Sequence, residues 1–179
     1  MESIVQAKRV LEIFKEMSQI PRESGNEKGI SDYIVNFAKN LGLEVHQDDQ
    51  YNVVIKKPAS PGYENRPSII LQGHIDMVCV RDHDSNHDFT KDPIANIIEG
   101  EWMHADHTTL GADNGMGGAM MLAILEDDSQ QHGPMQLLFT TNEETGMDGA
   151  FAIKEGQVSG DYLLNLDTEV EHDFTVSCA

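Results

Sequence analysis

Six residues of the 179-residue chain have the types and spacing of a carboxylate-rich metal site. His74 and Asp76 close the apolar run Ile69-Ile70-Leu71 and stand two apart, so an extended backbone turns both to one side. Asp113 lies in the glycine-rich stretch Gly111-Ala112-Asp113-Asn114-Gly115. Glu143 and Glu144 follow the apolar run at 137–141, and Asp167 follows the run at 163–166. Imidazole and carboxylates together suit Zn²⁺, with Mn²⁺ or Co²⁺ as alternatives. Singly, each signal has a plainer reading. A histidine near a strand is more often a core residue, paired glutamates are usually a solvated turn, and Asp before Asn-Gly is ordinary turn chemistry. What favours a site is that all of them share one context, after an apolar run or on the turn beyond it.

The elements that must position these residues are legible in outline. Residues 4–20 carry Ala7, Val10, Leu11, Phe14 and Met17 at helical spacing and end at Pro21. Ser24-Gly25-Asn26-Glu27 has the form of a capping box. It predicts a second helix with Ile30, Ile34, Phe37, Ala38 and Leu41 inward and Gly42 as its C-terminal cap. Residues 43–45 and 51–56 read as a strand pair around an Asp-rich turn, and 68–72 as a buried strand. Residues 81–110 form a long polar stretch. A helix is predicted over 116–125, with Gly117 and Gly118 marking close packing. Strands are expected at 136–140, 162–166 and 173–178, and a short helix at 149–154. Strands alternating with helices predict an α/β fold, a mostly parallel sheet layered with helices. In such sheets, sites gather at the carboxyl ends of the strands.

Composition sets the outer limits. Asp and Glu total 31 against 12 Lys and Arg, a net charge of −19. Such a surface repels phosphate, which argues against nucleic-acid and anionic-membrane partners, and it favours cations. Much of this charge reads as a solvated acidic face. No stretch reaches the ~20 apolar residues of a membrane span. Met1-Glu2-Ser3-Ile4-Val5 does not read as a secretory signal, and Cys79 and Cys178 do not make a disulfide framework, so the expected location is cytoplasmic.

Four motifs in combination carry a resemblance. Gly73-His74-Ile75-Asp76, the stretch at 109–115, Thr141-Asn142-Glu143-Glu144-Thr145-Gly146 and Asn165-Leu166-Asp167-Thr168-Glu169 resemble the co-catalytic zinc peptidases related to carnosinases. The likeness is strongest to their branch that cleaves Xaa-His dipeptides. Residues 20–27, His87-Asp88-Phe89 and Asp92-Pro93-Ile94 extend it over essentially the whole chain.

The resemblance implies a zinc-peptidase-like catalytic domain with two Zn²⁺ per active site. His74 and Asp167 would bind the first metal and Glu144 the second. Asp113 would bridge both, its bond to Asn114 being cis. Asp76 would orient His74, and Glu143 would act as general base. The implied substrate is a small dipeptide, and the implied assembly of the whole protein is a homodimer. Family members are far longer. Residues 1–179 would be the N-terminal part of the catalytic domain, with the lid or dimerisation domain, the C-terminal part and a second-site histidine outside it. The chain alone is therefore expected to bind at most one metal tightly and to be inactive. Two alternatives remain open: a related metallo-amidohydrolase (tripeptidase or N-acyl-amino-acid deacylase), or a non-catalytic metal-binding module. His83, His87, His104 and His107 read as a solvated loop ahead of an accessory metal patch, and Cys79 as a buried thiol.

Overall fold

A computed structural model describes residues 2–168 and Val176, with side chains from Ala7 onward. The apolar run expected at 173–178 lies, Val176 apart, outside the described residues.

Two helices lead the chain: α1 (Glu2–Met17) and α2 (Lys28–Asn40). The apolar spacing read from the sequence buries Phe14 and Met17 of α1 and Ile30, Ile34 and Ala38 of α2. Leu41, expected inward, is 41% exposed because the helix has ended there. Gly42 takes the left-handed conformation expected of it (φ 72°). Its N–H donates to Lys39 O, and Leu43 N–H donates to Ala38 O, which closes the helix end.

Next come the antiparallel strands β1 (Glu44–Gln47) and β2 (Val53–Lys57), then β3 (Ile69–His74). The polar stretch after β3 holds an unforeseen hairpin, β4 (Asn96–Glu99) and β5 (Trp102–Ala105), turning at Gly100 with φ 64°. Its side chains are at most half-buried, so no apolar alternation announced it. The chain then runs through α3 (Ala112–Glu126), β6 (Met135–Thr140), the short helices α4 (Glu143–Gly146) and α5 (Asp148–Ala152), and β7 (Tyr162–Asn165).

The main sheet has the order β1-β2-β6-β3-β7. β3 pairs parallel with both β6 and β7, while β2 pairs antiparallel with β6 and β1. Four of these five strands therefore run one way, as the sequence predicted, with β2 alone reversed. Period-two alternation splits the sheet's apolar residues between two faces. Val53, Ile55, Leu71, Leu137 and Phe139 join α1, α2 and α3 in the main core, while Val54, Ile70 and Leu138 form a smaller cluster covered by Ile153 and Val158. No helix among the described residues is long and apolar enough to cross a membrane.

This architecture brings the carboxyl ends of β3, β6 and β7 to one edge, where the start of α3 joins them. Because Phe139 is fully buried in the core behind that edge, Phe139→Ala is expected to cost about 3–5 kcal/mol in urea unfolding. Ile98→Ala on the hairpin, where the side chain is 54% exposed, is expected to cost less than about 1 kcal/mol. Equal losses would show that the hairpin belongs to the same cooperative core.

Candidate metal centre

His74 is the last residue of β3 and is almost fully buried. Its Nε2 faces outward, 3.1 Å from Asp113 Oδ1 and 3.9 Å from both Glu143 Oε2 and Asp167 Oδ1. Its Nδ1 lies 3.3 Å from Asp76 Oδ1, near enough for an ion pair but outside hydrogen-bond alignment. Asp76 has no exposed surface. Ser24 Oγ (2.7 Å) and Glu144 N–H (3.1 Å) donate to its Oδ2, and Glu143 N–H (3.1 Å) donates to its Oδ1. One carboxylate thus holds the imidazole and the turn after β6 together.

The other carboxylates arrive from neighbouring elements. Asp113 stands in the first turn of α3, where the backbone is not yet helical and the Asp113–Asn114 peptide is cis, as the resemblance implied. Asn114 reaches across with its Nδ2, donating to Leu166 O and to Asp167 Oδ1, both at 3.0 Å. It thereby ties the start of α3 to the segment after β7. The space for that amide exists because residues 73 and 117 are glycines: a Cβ at Gly73 would come within 2.7 Å of Asn114 Oδ1, and one at Gly117 would overlap it.

Two sets of ligand atoms lie within 4.8 Å of one another: His74, Asp113 and Asp167, and His74, Glu143 and Glu144. Atoms about 2.0–2.2 Å from one Zn²⁺ lie no more than about 4.4 Å apart, so both sets are close to the size of a single-cation cage. Among the described residues, His74 is the only cationic group recorded in ion pairs with Asp113, Glu143 and Asp167. The donor set therefore fits a divalent metal. All six predicted residues converge. Glu144, however, falls within ligand range of His74 and Glu143, whereas the resemblance pairs it with Asp113.

Sequence reasoning missed the frame behind the site. Ser24 and Glu27 do not form a capping box. Glu27 is itself the N-cap of α2 and makes no side-chain cap bond. Ser24 serves Asp76, and Glu27 accepts from Gly25 N–H and Asn142 N–H. Arg22, only 2% exposed, donates to Ile75 O and Asp76 O at 3.2 Å and to Gly111 O at 2.5 Å. It bridges the end of β3 and the entry to α3. Burial of its charge pulls its pKa down to about 10, against the pull of Cys79 and Asp76. The signal for these roles was a polar run, Arg22 to Glu27, that local structure does not consume.

Electrostatics follow from the same contacts. Burial works against ionised Asp76, but His74, Ser24 and the two backbone donors outweigh it and hold the carboxyl at about 2. Burial likewise opposes a charged His74, and Asp76, Asp167 and Asp113 overcome it, raising the imidazole to about 9. Glu144 is raised by burial, relieved in part by His74, and then raised further by Asp113, Glu143 and Asp76.

Residues 70–176 match the model of peptidase family M20/M25/M40. The chain belongs to this family. The cytosol non-specific dipeptidase of Escherichia coli is 46% identical over 168 residues, which span 94% of the present chain and 35% of that protein. The crystal structure of aminoacylhistidine dipeptidase from Vibrio alginolyticus superposes with a TM-score of 0.88 at 47% identity, covering 91% of this chain and 33% of that one. A tripeptidase from Staphylococcus aureus superposes with a TM-score of 0.76 at 26% identity, over 91% of this chain and 44% of that one. This M20-family chain thus spans about a third of the length of the relatives it matches at 46–47% identity.

The Asp76–His74 pair gives the metal-free protein a defined pH response. Asp76, lowered from 3.8 to about 2, contributes stability that is complete above pH 3.8 and lost as pH falls toward about 2. His74, raised from 6.5 to about 9, contributes stability complete below pH 6.5 and lost as pH rises toward about 9. Asp76→Asn in chelator is therefore expected to lose on the order of 3 kcal/mol between pH 3.8 and 6.5, and less outside that window. Thermal midpoints across pH check this; a constant deficit at every pH would refute it.

Proposed function

We propose that this chain is the N-terminal part of the catalytic domain of a metal-dependent dipeptidase, acting on Xaa-His dipeptides by preference. The observation that carries the reading is the convergence of Asp113, Glu143 and Asp167 on Nε2 of a histidine whose other nitrogen faces a buried carboxylate. His74, Asp113 and Asp167 would hold one divalent cation, Zn²⁺ by donor type. Glu144 with a shared Asp113 would contribute to a second. Such cations, when bound, polarise a carbonyl and lower the pKa of water toward neutrality.

The chain's own residues supply the rest. Asp76 keeps the proton of His74 on Nδ1, leaving Nε2 free to act as a ligand. Glu143 is one-third exposed and sits beside His74 Nε2, which suits a base with access to water. It takes a proton from water as the water oxygen attacks the scissile carbonyl carbon. It returns that proton to the amine nitrogen as the C–N bond breaks, giving a carboxylic acid and a free amine. The E. coli and V. alginolyticus relatives bear the names of dipeptidases, which supports this substrate class over tripeptides and N-acyl amino acids. Cytoplasmic location and a homodimer of the whole protein belong to the same reading.

The native polypeptide carrying residues 1–179, assayed with Zn²⁺ on β-Ala-His, other dipeptides, tripeptides and N-acetyl amino acids, tests it. Hydrolysis is expected to favour the Xaa-His dipeptide and to stop with chelator. Preference for a tripeptide or an N-acetyl substrate would move the protein to the related amidohydrolases, and no hydrolysis would leave a metal-binding module. Glu143→Ala is expected to keep its metal and lose about 10²–10⁴ in turnover, whereas Asp113→Ala is expected to lose metal by elemental analysis. Residues 1–179 alone are expected to hydrolyse poorly or not at all, since part of the second site would come from outside them. Wild-type turnover by the isolated chain would overturn that part.

A further inference from the structure

The turn that carries Glu143 and Glu144 is closed locally by Met147 N–H donating to Asn142 O at 2.8 Å and by Asn142 Nδ2 donating to Asp148 Oδ2 at 2.7 Å. Helix α4 is four residues long, and it is entered through Asn142 in the left-handed conformation (φ 54°, ψ 36°). Its placement against the rest of the fold is held from outside. Three successive backbone N–H groups, those of Asn142, Glu143 and Glu144, donate to side-chain carboxylates from two distant segments. Asp76 takes the second and third, as described above. Glu27 takes the first: its Oε1 accepts Asn142 N–H at 3.0 Å and Gly25 N–H at 2.9 Å.

Glu27 is only 4% exposed. Its own carbonyl opens α2 by accepting Ser31 N–H at 2.9 Å, so its backbone is anchored to a helix of the main core. A buried acceptor on a rigid element, facing the residue before the general base, has the features of a positioning group. An acidic side chain at a helix entrance ordinarily reads as a cap, but the side chain of Glu27 makes no cap bond.

We propose that Glu27 is a positioning residue that sets the orientation of the Glu143–Glu144 turn through Asn142 N–H, by the reach of its Oε1 rather than by its charge. This rests on the reading of Glu143 as base and Glu144 as ligand. Both accepted bonds end on Oε1, and a glutamine carbonyl offers an acceptor at the same reach. An aspartate keeps the charge but is one methylene short.

The test compares Glu27→Gln and Glu27→Asp in the native polypeptide by dipeptide kinetics and by calorimetric Zn²⁺ titration of the metal-stripped protein. Glu27→Asp is expected to lower kcat about 10- to 100-fold with KM little changed, because a small misplacement of the base costs turnover and not ground-state binding. It is also expected to weaken the lower-affinity Zn²⁺ step while sparing the tighter one. Glu27→Gln is expected to stay within about threefold of wild type in kcat and to retain both Zn²⁺ steps. Glu27→Asp matching wild type in both measurements, or Glu27→Gln falling as far as Glu27→Asp, would overturn the proposal. Should Glu27→Asp fail to fold, impaired turnover or metal binding in Glu27→Gln overturns it alone. A wild-type protein that hydrolyses nothing would sink the role given to Glu143, and the Zn²⁺ titrations would still decide the role given to Glu27.

Discussion

A carboxylate with no exposed surface lies at the centre of this molecule's chemistry. Removing such an ion from water costs several kcal/mol even after the protein relaxes. A hydrogen bond to a charged group returns about 1.5–3 kcal/mol, so a single donor would leave Asp76 protonated or displaced. Asp76 instead has three hydrogen-bond donors and the His74 imidazole, and the balance falls to the ionised form. These four partners come from three places: the Ser24 loop, the end of β3 that carries His74, and the turn after β6. Satisfying one buried charge therefore fixes the relative positions of a histidine, the glutamates that follow β6 and the entry to α2. Distances around His74 Nε2 follow from this constraint.

The parallel arrangement of β3, β6 and β7 makes the constraint attainable. Their carboxyl ends meet at one edge, and His74 pairs in register with Thr140, three residues before Glu143. Arg22 adds the fourth element. By donating to carbonyls on both sides, it locks the residues after β3 against Gly111 and thus sets where Asp113 enters. Asn114 completes the ring by holding Asp167. His74, Glu144 and Asp167 are thus each held by a neighbour whose other contacts lie in the frame, the condition for a carboxylate-rich site to keep its geometry.

Much of this was legible in the residues. Apolar spacing located α1, α2, β3 and β6, because each buries a regular face; the apolar run at 162–166 located β7, although the side chains of that strand are exposed. Strand-end context and the family resemblance singled out the six residues that the structure brings together. What escaped was information held in tertiary contacts. Ser24 and Glu27 have the spacing of a capping box, and nothing local reveals that their side chains are taken by Asp76 and Asn142. Arg22 enters only as part of the 20–27 stretch, and its three carbonyl partners, Ile75, Asp76 and Gly111, are far from it in sequence, so only the fold reveals them. The β4–β5 hairpin escaped for the opposite reason: it buries too little to leave a pattern. Leu41 was placed inward by periodicity, but the helix stops one residue earlier.

The most direct test of Asp76 as the shared anchor is a crystal structure of the Asp76→Ala protein. The quantity to measure is the separation of His74 Nε2 from the Glu143 carboxylate, 3.9 Å in the intact site. If one buried carboxylate holds both, its removal will let the 142–146 turn shift and the imidazole rotate, and that separation will lengthen. His74 and Glu143 superposing on their present positions would mean that the strand edge alone sets the site and that Asp76 does not organise it.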